Sequence, residues 1–107
     1  IYRFIEPALL LALQEHGPSY GYQLSEQLDD CVLTDAEIER AALYRTLRTL
    51  EQNGYVRSTW ETGESGPARR IYALTRSGIG HLRDWAELLE RLGTAMRDFS
   101  KKAQQVC

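Results

Sequence analysis

The sequence predicts a mainly α-helical fold with a small β-hairpin and one long helix at its C-terminal end. Three observations lead there. Leu43, Leu47 and Leu50 recur at i, i+4 and i+7 and are followed by a stop at Asn53-Gly54, the mark of an amphipathic helix with a defined end. Tyr55 to Trp60 and Arg69 to Leu74 have strand composition and are separated by a loop containing Gly63, Gly66 and Pro67. Leu82, Trp85, Leu89, Leu92, Met96 and Phe99 then repeat with spacings 3, 4, 3, 4, 3, an a/d seam over nearly three heptads.

Taken in order, the first element is a short apolar helix carrying Phe4, Ile5, Ala8, Leu9, Leu10, Leu11 and Leu13, with Pro7 tolerated only because it sits near the first turn. It is apolar on more than one face and therefore needs cover on two sides. Gly17-Pro18 ends it. Ser19 offers a cap for a second helix, Tyr20 to about Leu28, with Tyr22, Leu24 and Leu28 directed inward. A connection follows from Asp29 to Leu33. Thr34-Asp35-Ala36-Glu37 fits a capping box, so the third helix starts either at Asp35 or, after a separate turn, near Glu39; periodicity does not separate the two.

Opposite its leucines, at about 100° per residue, the third helix carries Ala41, Arg45, Arg48, Thr49 and Gln52, with Tyr44 on the flank. Small residues allow close approach to a groove, arginines fork onto guanine edges or phosphate, and a phenol can hydrogen-bond a phosphate oxygen. In the hairpin, Arg69 and Arg70 leave the loop as an adjacent cationic pair, while Glu61 and Glu64 in the same loop would repel phosphate. The expectation is that the arginines face nucleic acid and the glutamates do not. A helix followed by a hairpin with cations at its tip is the layout of a winged helix-turn-helix, in which the helix enters the major groove and the wing reaches the flanking backbone. Read as ordinary surface, the same residues are a solvated helix face and a solvated turn.

Thr75 caps the C-terminal helix, which runs to about Gln104 and so spans about 45 Å at ~1.5 Å per residue. A domain this small cannot cover so long a stripe from within. Ala86, Leu88, Gly93 and Ala95 widen the stripe beyond a two-stranded seam, and the first helix is the obvious second partner. Together they predict a homodimer, with residues 1–76 as the winged helix-turn-helix and 77–107 as the dimerisation helix. Trp85 has two readings. It fills the dimer core, or with Leu89 it lines a gap that would take a flat apolar or phenolic effector.

Composition narrows the function. The 107 residues hold one domain with a modest core, and no run approaches the ~20 apolar residues of a membrane span. Nothing resembles a cleavable signal peptide, so cytoplasm is the default location; Ile1 rather than Met opens the chain, so a natural start could precede it. Net charge is −2, which argues against nucleic acid until its distribution is considered. Residues 1–34 carry one arginine against five acids, whereas Arg40 to Arg76 holds seven arginines against three glutamates. Local charge decides where a polyanion docks. Cys31 and Cys107 are too few and too far apart for a zinc site or a disulfide framework; Cys31 reads as a small buried or half-buried apolar residue and Cys107 as a terminal thiol. His16 and His81 have no partner at ligand spacing. No nucleophile–base pair or glycine-rich phosphate loop is present, so neither a catalytic site, a metal nor a cofactor is expected.

The segments LLLALQEHGPSYGYQLSEQL (Leu9–Leu28), ALYRTLRTLEQNGYVRS (Ala42–Ser58) and GPARRIYALTRSG (Gly66–Gly78) resemble the PadR family of bacterial transcriptional regulators. The single long C-terminal helix is similar to the short-tailed members, including polyhydroxybutyrate-responsive repressors. The resemblance implies a homodimeric repressor on a palindromic operator, released by an effector at or near the dimer interface. It carries Tyr44, Arg45 and Arg48 onto the recognition helix and Arg69 onto the wing. Glu39-Arg40-Ala41 stands where the family commonly has a proline-glycine start. The alternative of another class is a winged-helix module that binds protein and not DNA, for which the net charge of −2 is the best support.

Overall fold

Leucine periodicity decides the core. The computed structural model describes residues 4–29, 40–62 and 66–107. In chain order its elements are α1 (Ile5–His16), β1 (Ser19–Tyr20), α2 (Gly21–Asp29), α3 (Arg40–Gln52), β2 (Val56–Glu61), β3 (Arg69–Leu74) and α4 (Arg76–Val106). Leu43, Leu47 and Leu50 of α3 are fully buried, as their spacing predicts, beside Leu24 and Leu28 of α2 and Leu9, Leu10 and Leu13 of α1. Each such side chain contributes roughly 1.5–3 kcal/mol on burial. Pro7 lies in the first turn of α1, where its missing N–H removes a donor that no helical carbonyl would accept. Cys31, the Thr34–Glu37 capping box, the two alternative starts of the third helix, Gly63 and Glu64 lie outside the described residues.

The hairpin is joined by a third strand that the sequence does not announce. The sheet is antiparallel in the order β1-β3-β2, with Ser19 opposite Tyr72 and Tyr20 opposite Ile71 on one side of β3. Ser19 is therefore not the cap of α2. Its buried hydroxyl donates to the Gly17 carbonyl at 2.8 Å. The cap is made instead by Gln23, whose Oε1 accepts the Tyr20 N–H at 2.8 Å, the return half of a capping box. Tyr22 also departs from expectation, being 47% exposed. Leu24 and Leu28 fix the inward face of α2, and two residues at about 100° each carry Tyr22 to the opposite side.

The end of α3 and the start of α4 are tied to one turn. Gly54, at φ 80°, follows the last turn of α3, and the Tyr55 N–H donates to the Leu50 carbonyl at 2.9 Å. Thr75 caps α4 by accepting the Gly78 N–H at 3.0 Å, while its own hydroxyl donates to the Gly54 carbonyl at 2.7 Å. Gly78 is glycine because a Cβ there would overlap the Tyr55 carbonyl and the Leu74 side chain. One turn further on, the His81 ring stacks on Tyr55 at 3.9 Å, and Leu82 and Trp85 pack against the core. The Glu6 carboxylate of α1 accepts the Trp85 indole N–H at 3.0 Å and pairs with His81. The first third of α4 is thereby anchored.

The rest of α4 leaves the domain, giving the chain extents of 65 × 28 × 21 Å. Leu89 and Leu92 are half-buried, whereas Met96 is 61% and Phe99 75% exposed. The seam expected from Leu82 to Phe99 is thus divided, its first two members already serving the chain's own core. No helix among the described residues is long and apolar enough to cross a membrane.

Candidate nucleic-acid interface

With its leucines turned inward, α3 presents Ala41, Tyr44, Arg45, Arg48, Thr49 and Gln52 outward, all exposed. The Thr49 hydroxyl donates to the Arg45 carbonyl at 3.1 Å, which holds the side chain against the helix and leaves its oxygen free to accept. Arg45 and Arg48 carry no ion pair among the described residues. The helix therefore offers two uncommitted guanidinium groups on a face otherwise made of small and polar side chains.

Tyr44 opens a second part of the surface. Its phenol lies directly over Gly21, where any Cβ would overlap the ring. Tyr44, Gly21, Tyr20, Tyr22, Arg69, Arg70 and Tyr72 border a cleft of about 190 Å³ between the start of α2, the start of α3 and the base of the wing. Tyr20 and Tyr22 stack in parallel at 5.7 Å, and the Arg69 guanidinium lies 5.7 Å above the Tyr20 ring. The Tyr20 hydroxyl donates to Glu61 at 2.9 Å, and that hydrogen bond raises its pKa above the ordinary phenol value. Burial does the same for Tyr72. Both phenols stay protonated through neutral pH and remain donors.

Arg69 and Arg70 both border this cleft but leave β3 on opposite faces. Successive residues of a strand point to opposite faces. Arg69 shares the outer face with Tyr20 and Glu61, whereas Arg70 lies on the face turned toward α3. There its Nε donates to Ser58 Oγ at 2.8 Å, its Nη2 lies 3.5 Å from Glu51 Oε1, and its guanidinium sits 5.4 Å above the Trp60 ring. Tyr20 and Tyr22 are the surface residues that sequence reasoning missed. Their segment reads as the opening of a helix at Tyr20, with Tyr22 directed inward.

A three-stranded sheet with one long connection between β2 and β3, packed behind an exposed basic helix, is a winged helix-turn-helix, and residues 9–84 match the PadR-like family of transcriptional regulators. The chain belongs to that family. A Mycobacterium tuberculosis protein described as a probable transcriptional regulator is 33% identical over 100 residues, covering 89% of this chain and 52% of its own length. The chain thus spans about half the length of that relative. A transcriptional regulator from Clostridium thermocellum superposes with a TM-score of 0.78 at 28% identity, covering 90% of this chain and 89% of its own. Bacillus subtilis PadR, solved in complex with operator DNA, superposes with a TM-score of 0.68 at 22% identity over 80% of this chain and 48% of its own, and shares the fold. The family is one of transcriptional regulators.

Proposed function

We propose that the chain is a sequence-specific DNA-binding repressor that acts as a homodimer in the cytoplasm. The observation that carries the reading is the continuity of the exposed α3 face with the tyrosine–arginine cleft beneath the wing. Arg45 and Arg48 would reach base edges or phosphates in the major groove, Thr49 would add a polar contact, and Tyr44 and Arg69 would hold the flanking backbone. Tyr22, exposed at the mouth of the cleft, joins them as a phenolic donor. Bacillus subtilis PadR, which shares the fold, is solved in complex with operator DNA, and that supports DNA as the ligand.

The dimer part rests on the distal half of α4. Met96, Phe99 and Val106 are exposed there, and Leu11 of α1 is 46% exposed. A second copy would cover this stripe, and two copies related by a twofold axis would place their recognition helices on a palindrome with half-sites about one helical turn apart. A small apolar or phenolic effector would act where Trp85 and Leu89 border the open part of the seam. The Trp85 indole is already held by Glu6, which favours its role as the joint between α4 and the rest of the chain.

Selection of duplexes from a random pool tests the proposal. An enriched palindromic sequence is expected. Failure to enrich any sequence would turn the reading to the alternative, a winged-helix module that binds protein.

A further inference from the structure

Arg70 is engaged through its Nε and Nη2, while its side chain stays 44% exposed. Its Nε donates to Ser58 Oγ at 2.8 Å, and Ser58 Oγ in turn donates to Glu51 Oε2 at 2.7 Å. The second carboxylate oxygen of Glu51 lies 3.5 Å from Arg70 Nη2, closing a ring of three side chains. The guanidinium plane is flanked by Trp60 at 5.4 Å and Tyr72 at 6.0 Å. Glu51 belongs to the last turn of α3, whereas Ser58 and Arg70 belong to the two strands of the wing. The ring thus spans the angle between the helix that would enter the groove and the hairpin that would flank it.

We infer that Glu51, Ser58 and Arg70 form a strut that sets the wing against the recognition helix, so that Arg70 positions the interface and does not itself grip DNA. The inference rests on the DNA-binding reading above. Arginine suits the place because its planar guanidinium addresses Ser58 through Nε and Glu51 through Nη2 at once; a lysine in its place could pair with Glu51 but could not also orient Ser58. Arg69, on the outer face, keeps the phosphate role alone.

Salt-dependent binding to a duplex enriched by the wild-type chain separates the two roles. Every phosphate contact adds about 0.9 to the slope of log affinity against log salt. Arg69→Ala is expected to lower that slope by about one. The strut predicts that Arg70→Ala, Arg70→Lys and the charge-neutral Ser58→Ala each weaken binding about five- to tenfold with the slope unchanged. It also predicts that Ser58→Ala has no further effect once Arg70 is Ala, because both remove one shared network. Melting temperature, read on each variant, controls for folding; Arg70→Lys, exposed and still charged, serves if Ser58→Ala is unstable. Wild-type affinity in Arg70→Lys, or a slope lower by about one in Arg70→Ala, would show Arg70 on a phosphate and overturn the strut. A wild-type chain that enriches no duplex would remove the DNA-binding reading itself.

Discussion

The two halves of α4 carry one apolar spacing and have opposite fates. Near the N-terminus, Gly78, Leu82 and Trp85 are closed against the chain's own core, and Glu6, Tyr55 and His81 lock them there. Beyond Leu92 the same spacing continues through Met96 and Phe99 into solvent. Periodicity therefore tells which face of a helix is apolar and says nothing of what covers it. The partner is decided by reach. Among the described residues α1 meets α4 near His81 and Trp85 through Glu6, and the proposed second copy would cover the exposed stripe beyond Leu92.

The sharpest way to break this contrast is Trp85→Ala. Loss of a half-buried indole with its hydrogen bond to Glu6 is expected to cost about 3 kcal/mol of stability, read as an earlier denaturant midpoint. If the variant stays a stable dimer by sedimentation and repression can no longer be relieved, Trp85 serves an effector and not the joint. Gly78→Ala should cost about 2 kcal/mol, because the added Cβ meets the Tyr55 backbone, which cannot move without shifting the turn that holds Thr75. Unfolding of this variant at the wild-type midpoint would mean that the joint is looser than its contacts imply. Phe99→Asp addresses the other half. It should leave the unfolding of an isolated chain within about 0.5 kcal/mol of wild type, as befits an exposed position. The sedimenting mass should nonetheless fall to that of one chain, and an unchanged dimer would place the interface elsewhere.

Most of the frame was legible in the sequence because it obeys local rules. Leu43, Leu47 and Leu50, the Asn53-Gly54 stop, the bounds of β3 and the Thr75 cap each follow from spacing or from one residue's backbone preference. The missed features depend on neighbours far away in sequence. A strand of two residues has no period to read, so Ser19-Tyr20 looked like a helix cap until β3 was placed beside it. Tyr22 looked like core because aromatic residues usually are, and only the Leu24–Leu28 face shows it to point outward. The separation of Arg69 from Arg70 was available from strand alternation alone. That Arg70 then meets Glu51 was not, since it requires the packing of the wing on α3.

The central claim is that the outward face of α3 reads DNA, and one titration tests it most directly. Wild type and the Arg45→Ala/Arg48→Ala double variant are compared on the enriched duplex at fixed salt, with melting temperature measured on both. The account predicts unchanged folding, because both side chains are exposed, and a loss of about 1–3 kcal/mol of binding per arginine that contacts a base. Equal affinity of the two proteins for that duplex would contradict it.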